Sequence, residues 1–262
     1  MLLSLFLLAA CDGAGRSAAF IVTGSTSVQS YVEILAEKYE LAHPGISIDV
    51  QGGGSSAGIQ AVESDTAEIG MSSRNLRENE LHLWSIEITK DGLAIIVNPN
   101  NPVGNLTVDQ IQGIYSTKYT NWSEVGGPDA RIHIITREEG SGTRGAFEDM
   151  VMSDVRITPR AIVQNSNGAV RQLVSGDQFS IGYISLGLVD DGESPVKAVA
   201  IEGVEPTPDN VRKGDYVLFR SFLFVAKEEP SGDVMEFIEY ILSPEGRRIL
   251  ENEGLIPSPP EE

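Results

Sequence analysis

Residues 132–144 read Ile132-His133-Ile134-Ile135-Thr136-Arg137-Glu138-Glu139-Gly140-Ser141-Gly142-Thr143-Arg144, a β-branched run, a small-residue loop between two arginines, then a helical pattern. The same grammar occurs twice nearer the N-terminus. Phe20-Ile21-Val22 runs into Gly24-Ser25-Thr26-Ser27, and Ile46-Ser47-Ile48-Asp49-Val50 runs into Gly52-Gly53-Gly54-Ser55-Ser56. Repeated strand–loop–helix units predict an α/β fold with parallel strands and ligand loops at their carboxyl ends. First-turn N–H groups of a helix have no partner within it, and the dipole adds partial positive charge there. Gly with Ser/Thr at such a start makes an oxyanion site. Three of these loops, one flanked by Arg137 and Arg144, predict a site that surrounds a small tetrahedral anion.

The remaining pattern extends this scheme. Val28, Tyr31, Val32, Leu35, Ala36 and Tyr39 recur with helical period up to Ala42, and a second helix begins at 57–62. Ile69-Gly70-Met71 leads to Ser72-Ser73-Arg74, and 92–97 is a buried strand that stops at Asn98-Pro99-Asn100-Asn101-Pro102, the expected crossover between lobes. Thr107 and Gln110 have capping-box spacing for a helix to Ile114. Asn165-Ser166-Asn167-Gly168-Ala169 caps another helix to Val174. Strands follow at 181–184 and 219–226, and helices at 231–242 and from Pro244. Ligand loops from both halves of the chain predict a cleft between two lobes.

With 262 residues, 41% hydrophobic and 22% charged, the chain has the composition of a globular protein with one large core or two modest ones. Nineteen basic against 38 acidic residues, a net charge of -19, exclude nucleic acid as the partner. They do not exclude a small anion held by short-range donors in a cleft, because surface charge is screened over about 8–10 Å. Leu2-Leu3-Ser4-Leu5-Phe6-Leu7-Leu8-Ala9-Ala10 is apolar but shorter than the roughly 20 residues that a membrane-spanning helix needs, and reads as a secretory h-region. No Lys or Arg precedes it, which leaves room for a start upstream. Cys11 is the single cysteine, so no intramolecular disulfide is possible. Leu8-Ala9-Ala10-Cys11 resembles the lipobox of bacterial lipoproteins, which implies lipidation at Cys11 and anchoring in the periplasm or cell envelope. Asp12 resembles an inner-membrane retention signal. Residues 12–18 form a small, polar tether.

Taken in order, GSTS, QGGGSSAG, IGMSSR, Asn121-Trp122-Ser123-Glu124-Val125-Gly126-Gly127, REEGSGTR and SPEGRRIL resemble the phosphate-binding proteins of bacterial high-affinity phosphate ABC transporters, over essentially residues 19–257. The resemblance implies a two-lobed periplasmic-binding-protein fold of type II with ligand between the lobes. Residues 19–96 plus 221–262 would form one lobe and 97–220 the other. It implies a non-enzymatic protein without cofactor that closes on inorganic phosphate and delivers it to a membrane permease. Carried over by motif, Thr26, Ser27, Ser55, Arg137, Ser141, Gly142 and Thr143 would contact the anion, with Arg144 adding a charge. Well-known members have a proton-accepting aspartate where this chain has Ser73, so Glu139 is expected to supply the acceptor that rejects sulfate, with Ser73 accepting more weakly.

Competing patterns are weaker. Gly54-Ser55-Ser56-Ala57-Gly58 matches the G-x-S-x-G elbow of serine hydrolases with Ser56 as nucleophile. Only His82 and His133 follow it, in settings that suit surface or core roles. Three scattered histidines offer no metal-ligand spacing, and no loop ends in the GK[ST] of a nucleotide site. Trp84 and Trp122 read as packing rather than a sugar platform. Another oxyanion, sulfate or molybdate, is the serious alternative ligand. Arg74 fits a salt bridge as well as a ligand contact, and Asn167 fits a structural helix cap or, in that position, a residue that closes the site.

Overall fold

The structure, a computed structural model, describes residues 18–189 and 195–258. Cys11 and the tether up to Ser17 lie outside them. The first lobe opens with β1 (Ala18–Gly24), α1 (Thr26–Ala42), β2 (Ile46–Gly52), α2 (Ser55–Glu63) and β3 (Ile69–Ser72), followed by the long β4 (Trp84–Val97). The chain then makes β5 (Asn105–Leu106), α3 (Val108–Tyr115), β6 (His133–Arg137), α4 (Gly142–Phe147), β7 (Ile162–Gln164), α5 (Asn167–Gly176) and β8 (Ser180–Ser185). It finishes with β9 (Lys197–Ala198), β10 (Ala200–Ile201), α6 (Pro208–Lys213), β11 (Phe219–Ala226), α7 (Asp233–Leu242), α8 (Pro244–Asn252) and β12 (Ile256–Pro257). The expected units are present, with ends shifted. Thr107 and Gln110 form the anticipated capping box on α3. Helix α1 starts two residues early because the Ser25 side chain accepts from Ser27 N–H and caps it.

The main sheet runs β2-β1-β3-β11-β4-β8-β6-β7. Strand β1 is parallel to β2 and β3, and β6 is parallel to β7 and β8. The late strand β11 lies antiparallel between β3 and β4, and β4 continues antiparallel to β8. This crossed-over order is the one expected of the two-lobed type II fold.

Apolar burial divides along the same line. One large cluster takes Phe20, Val22, Leu35, Met71, Ile88, Phe222, Phe224 and Phe237; another takes Leu93–Val97, Trp122, Phe147, Tyr183 and Leu218. The passage between them falls inside β4, after Ile88 and before Leu93, and the return falls between Leu218 and Phe222, with Ile256 of β12 joining the second cluster again. Strand β4 runs through this point without interruption, pairing with β11 over Trp84–Gly92 and with β8 over Leu93–Val97, upstream of the Pro/Asn cluster at 98–102. Its 84–91 half, missed by the sequence reading, alternates Ile86 and Ile88 with Ser85, Glu87 and Thr89.

Helix α2 crosses β1 at Gly58, where a Cβ would lie 2.5 Å from the Thr23 carbonyl oxygen and 2.7 Å from Gly24 Cα. Both of those atoms are backbone, so neither can turn aside. Gly58→Ala is therefore expected to cost about 1–3 kcal/mol through overpacking, read as a lower midpoint in urea unfolding.

Candidate functional site

The three loops meet where the two cores face each other. The N-cap Ser25 donates to Ser73 Oγ (2.8 Å), and Ser55 Oγ accepts from the Ser73 N–H (3.1 Å). Opposite them, Ser141 caps α4, its hydroxyl accepting from Arg144 N–H (3.3 Å). Gly142 follows, so close to the first lobe that a Cβ there would lie 2.1 Å from Ser55 Oγ and 2.6 Å from Ser73 Oγ. Only glycine permits that approach. The lobes touch through polar pairs: Ser27 Oγ with Thr143 Oγ1 (2.7 Å), Ser56 N–H to the Gly140 carbonyl (3.2 Å), and Arg137 Nη2 to Thr26 Oγ1 (3.2 Å).

Arg137 is a buried cation of this junction, with 1% of its surface exposed. Strand β6 delivers it, and its backbone N–H donates to Tyr183 Oη (3.3 Å), which also pairs with Thr136 Oγ1 (2.7 Å). Burial pushes the Tyr183 phenol up to about 12, so it stays protonated. The guanidinium is held by Glu138 through Nε (3.0 Å) and Nη2 (2.9 Å), and by the carbonyls of Gln164 and Asn165. Its remaining nitrogen, Nη1, is buried and makes no hydrogen bond to the described residues. A guanidinium offers five N–H donors, and a buried one left unsatisfied is costly.

Thr26, Ser27, Ser55, Ser73, Arg137, Ser141, Gly142 and Thr143 thus gather in one place. Two expected residues do not join them. Glu139 is exposed and lines an outer cavity with Arg144, Glu148 and Arg156. The turn closed by Ser141 N–H to the Glu138 carbonyl (3.1 Å) points the preceding side chain, Glu138, at Arg137 instead. Arg144 also faces away: Nε bonds Glu148 (2.8 Å), one helical turn on, and Nη1 bonds the Arg137 carbonyl (3.0 Å). It braces the backbone of Arg137 from behind. Arg74 is engaged as a salt bridge, with Glu80 taking both terminal nitrogens (2.7 and 2.9 Å).

Asn167, weighed above as a cap or a site-closing residue, is joined at the junction by two residues that the sequence analysis did not single out, Asp91 and Arg220. Ser166, not Asn167, caps α5 (Ala169 N–H to Ser166 Oγ, 3.1 Å), and Asn167 reaches across to Ser27. Arg220 on β11 and Asp91 on β4 form a buried ion pair (2.9 Å) beside Ser27. Their signal was there: each is a charge inside or bordering an apolar strand run. The hydrolase pattern gains no partner, since His82 pairs with Glu63 and His133 with Asp177, while Ser56 Oγ lies 3.5 Å from Arg74. Among the described residues no group of three metal-ligating side chains forms, and no helix is long and apolar enough to cross a membrane.

The chain belongs to the family of the PBP superfamily domain, whose model matches residues 12–245. Within it, the chain is 29% identical to the phosphate-binding protein PstS of Bacillus subtilis, over 98% of this chain and 92% of that one. It is similar to a candidate phosphate ABC transporter substrate-binding protein from Clostridium perfringens solved with bound phosphate. That likeness has 42% identity and a TM-score of 0.87, over 92% of this chain and all of that one. An ABC-type phosphate transport receptor from Vibrio cholerae is 39% identical with a TM-score of 0.77, over the same shares.

Arg74 serves the fold, and this can be checked through its partner. The Arg74 side chain holds the Glu80 carboxyl below its ordinary value. Ionised Glu80 therefore adds stability above about pH 4.3, lost as pH falls through its depressed folded value. Glu80→Gln is expected to cost about 3 kcal/mol at pH 7 and much less at pH 3, as read from urea unfolding at both.

Proposed function

We propose that this protein binds inorganic phosphate between its lobes and delivers it to an ABC-type phosphate permease, without catalysing a reaction. The single observation that carries the reading is the buried, unpartnered Nη1 of Arg137, enclosed by hydroxyl-bearing loops from both lobes. The anion would take Nη1, the hydroxyls of Thr26, Ser27, Ser55, Ser141 and Thr143, and the first-turn N–H groups at Gly142 and Thr143. The phosphate named for the Clostridium perfringens and Vibrio cholerae proteins supports the choice of anion. Residues near 19–90 and 221–258 form the first lobe in this reading, and those between them the second. Lipidated Cys11 would tether the protein to the outer face of a membrane, a proposal that rests on the lipobox-like sequence alone.

Glu138, not Glu139, holds Arg137, and that alters the expected basis of selectivity. Glu139→Gln is expected to leave the phosphate-to-sulfate preference unchanged, because its carboxylate faces the outer cavity. Calorimetric titration of ligand-free protein with phosphate, arsenate, sulfate and molybdate tests the whole reading. Phosphate and arsenate should bind most tightly; tighter sulfate or molybdate binding would overturn the assignment. Arg137→Ala should weaken phosphate about tenfold to a hundredfold, and more than Ser55→Ala does, since hydrogen bonds to charged groups exceed neutral ones. Equal losses in the two variants would remove Arg137 from the centre of the site.

A further inference from the structure

The Ser27 hydroxyl has three polar neighbours: Asn167 Nδ2 at 2.9 Å, Arg220 Nη2 at 3.2 Å and Thr143 Oγ1 at 2.7 Å. A hydroxyl has one proton to give and two lone pairs to fill. The two nitrogens can only donate, and both are pinned. Turning the Asn167 amide over would break the bond from Ser185 N–H to its Oδ1 (3.3 Å). Arg220 is the cross-strand partner of Asp91 in the β11–β4 register. Its Nε and Nη2 both donate to Asp91 Oδ2 (3.1 and 2.9 Å), and Nη1 donates to the Ser73 carbonyl (3.3 Å).

Asp91 is anchored in turn. Ser185 Oγ donates to its Oδ1 (2.8 Å), and Tyr31 Oη, kept protonated by burial, lies 3.2 Å from that Ser185 hydroxyl. Burial pushes the Asp91 carboxyl up, and Arg220 beside it opposes the rise. Donor and acceptor are therefore fixed at each contact between Tyr31 and Ser27, with Asp91 accepting from both sides and Arg220 donating both to Asp91 and to Ser27. Both lone pairs of Ser27 are filled, so in its pair with Thr143 Oγ1 across the junction Ser27 is the donor.

We propose that Arg220, acting with Asn167, is a positioning residue of the anion site: it fixes the Ser27 hydroxyl as an obligate donor, and Asp91 holds the guanidinium that does so. This rests on the reading that Ser27 belongs to the phosphate site. An unconstrained hydroxyl presents a lone pair or a proton at no fixed bias and must reorganise when an anion arrives. A locked one is already turned, which is how preorganised donors gain strength. Arg220 contributes without touching the ligand.

The test is a double-mutant cycle read by calorimetry with inorganic phosphate. The second background is Asp91→Asn with Arg220→Met, which removes both charges together and leaves an acceptor for the Ser185 hydroxyl. In the native chain Ser27→Ala should weaken phosphate about tenfold, and in the neutral background less than about threefold. Ser55→Ala should cost the same factor in both. A merely structural role for the ion pair lowers affinity overall but leaves the Ser27→Ala factor unchanged, and that result overturns the proposal. If Ser27→Ala has no effect in the native chain, the placing of Ser27 in the site fails instead. Asn167→Ala gives an independent background that keeps the ion pair and frees one lone pair. The Ser27→Ala factor should shrink there too, and an undiminished factor counts against the lock even if the double variant does not fold.

Discussion

A guanidinium taken out of water must be given its charge and its hydrogen bonds back, and this structure meets that demand three times around one junction. Arg74 has Glu80, Arg137 has Glu138, and Arg220 has Asp91. Removing one partner of such a pair leaves an uncompensated charge, the expensive outcome in a low-dielectric interior. What differs is how much donor capacity remains. Glu80 and Asn75 engage both terminal nitrogens of Arg74. Arg220 uses its surplus to orient a neighbour. Among the described residues, Arg137 keeps a terminal nitrogen without a hydrogen-bond partner, whereas Arg74 leaves only its Nε so. This also reconciles a net charge of -19 with an anion site. Attraction over a distance is not required where the junction supplies preset donors at contact range.

The parts legible in the sequence were those encoded locally. Gly-Ser-Thr-Ser, Gly-Gly-Gly-Ser-Ser and Gly-Ser-Gly-Thr each set a helix start within a few residues, so backbone geometry follows from composition. The direction of a side chain within a loop does not follow in that way. Whether Glu138 or Glu139 faces Arg137 depends on a turn closed by one backbone bond, and the motif's acidic position suggested the wrong one. Arg144 looked like a site cation because it ends the motif. In a helix it meets Glu148 one turn later, and that pairing takes it away.

Long-range pairing was the other blind spot. Asp91 and Arg220 are 129 residues apart and meet because β11 is inserted next to β4. Read singly, each was a charge at a strand, with nothing to say that the other would neutralise it. Asn167 suits a cap by residue type, yet its neighbour Ser166 takes the cap and leaves the amide to cross the junction.

The insertion of β11 has a consequence for the order of folding. The first lobe begins at β1, but the gap between β3 and β4 is filled by residues 219–226, and Phe237, Ile238, Ile241, Ile249 and Leu250 complete its core. In a chain that has made only its first hundred residues, one edge of β3 and both edges of β4 lack their partners, and the apolar face is half covered. The lobe that begins first must therefore wait for nearly the whole chain, while the second lobe's contiguous middle segment can assemble ahead of it. Long-range strand pairing of this kind slows folding, and here it ties completion of the first lobe to arrival of the C-terminus.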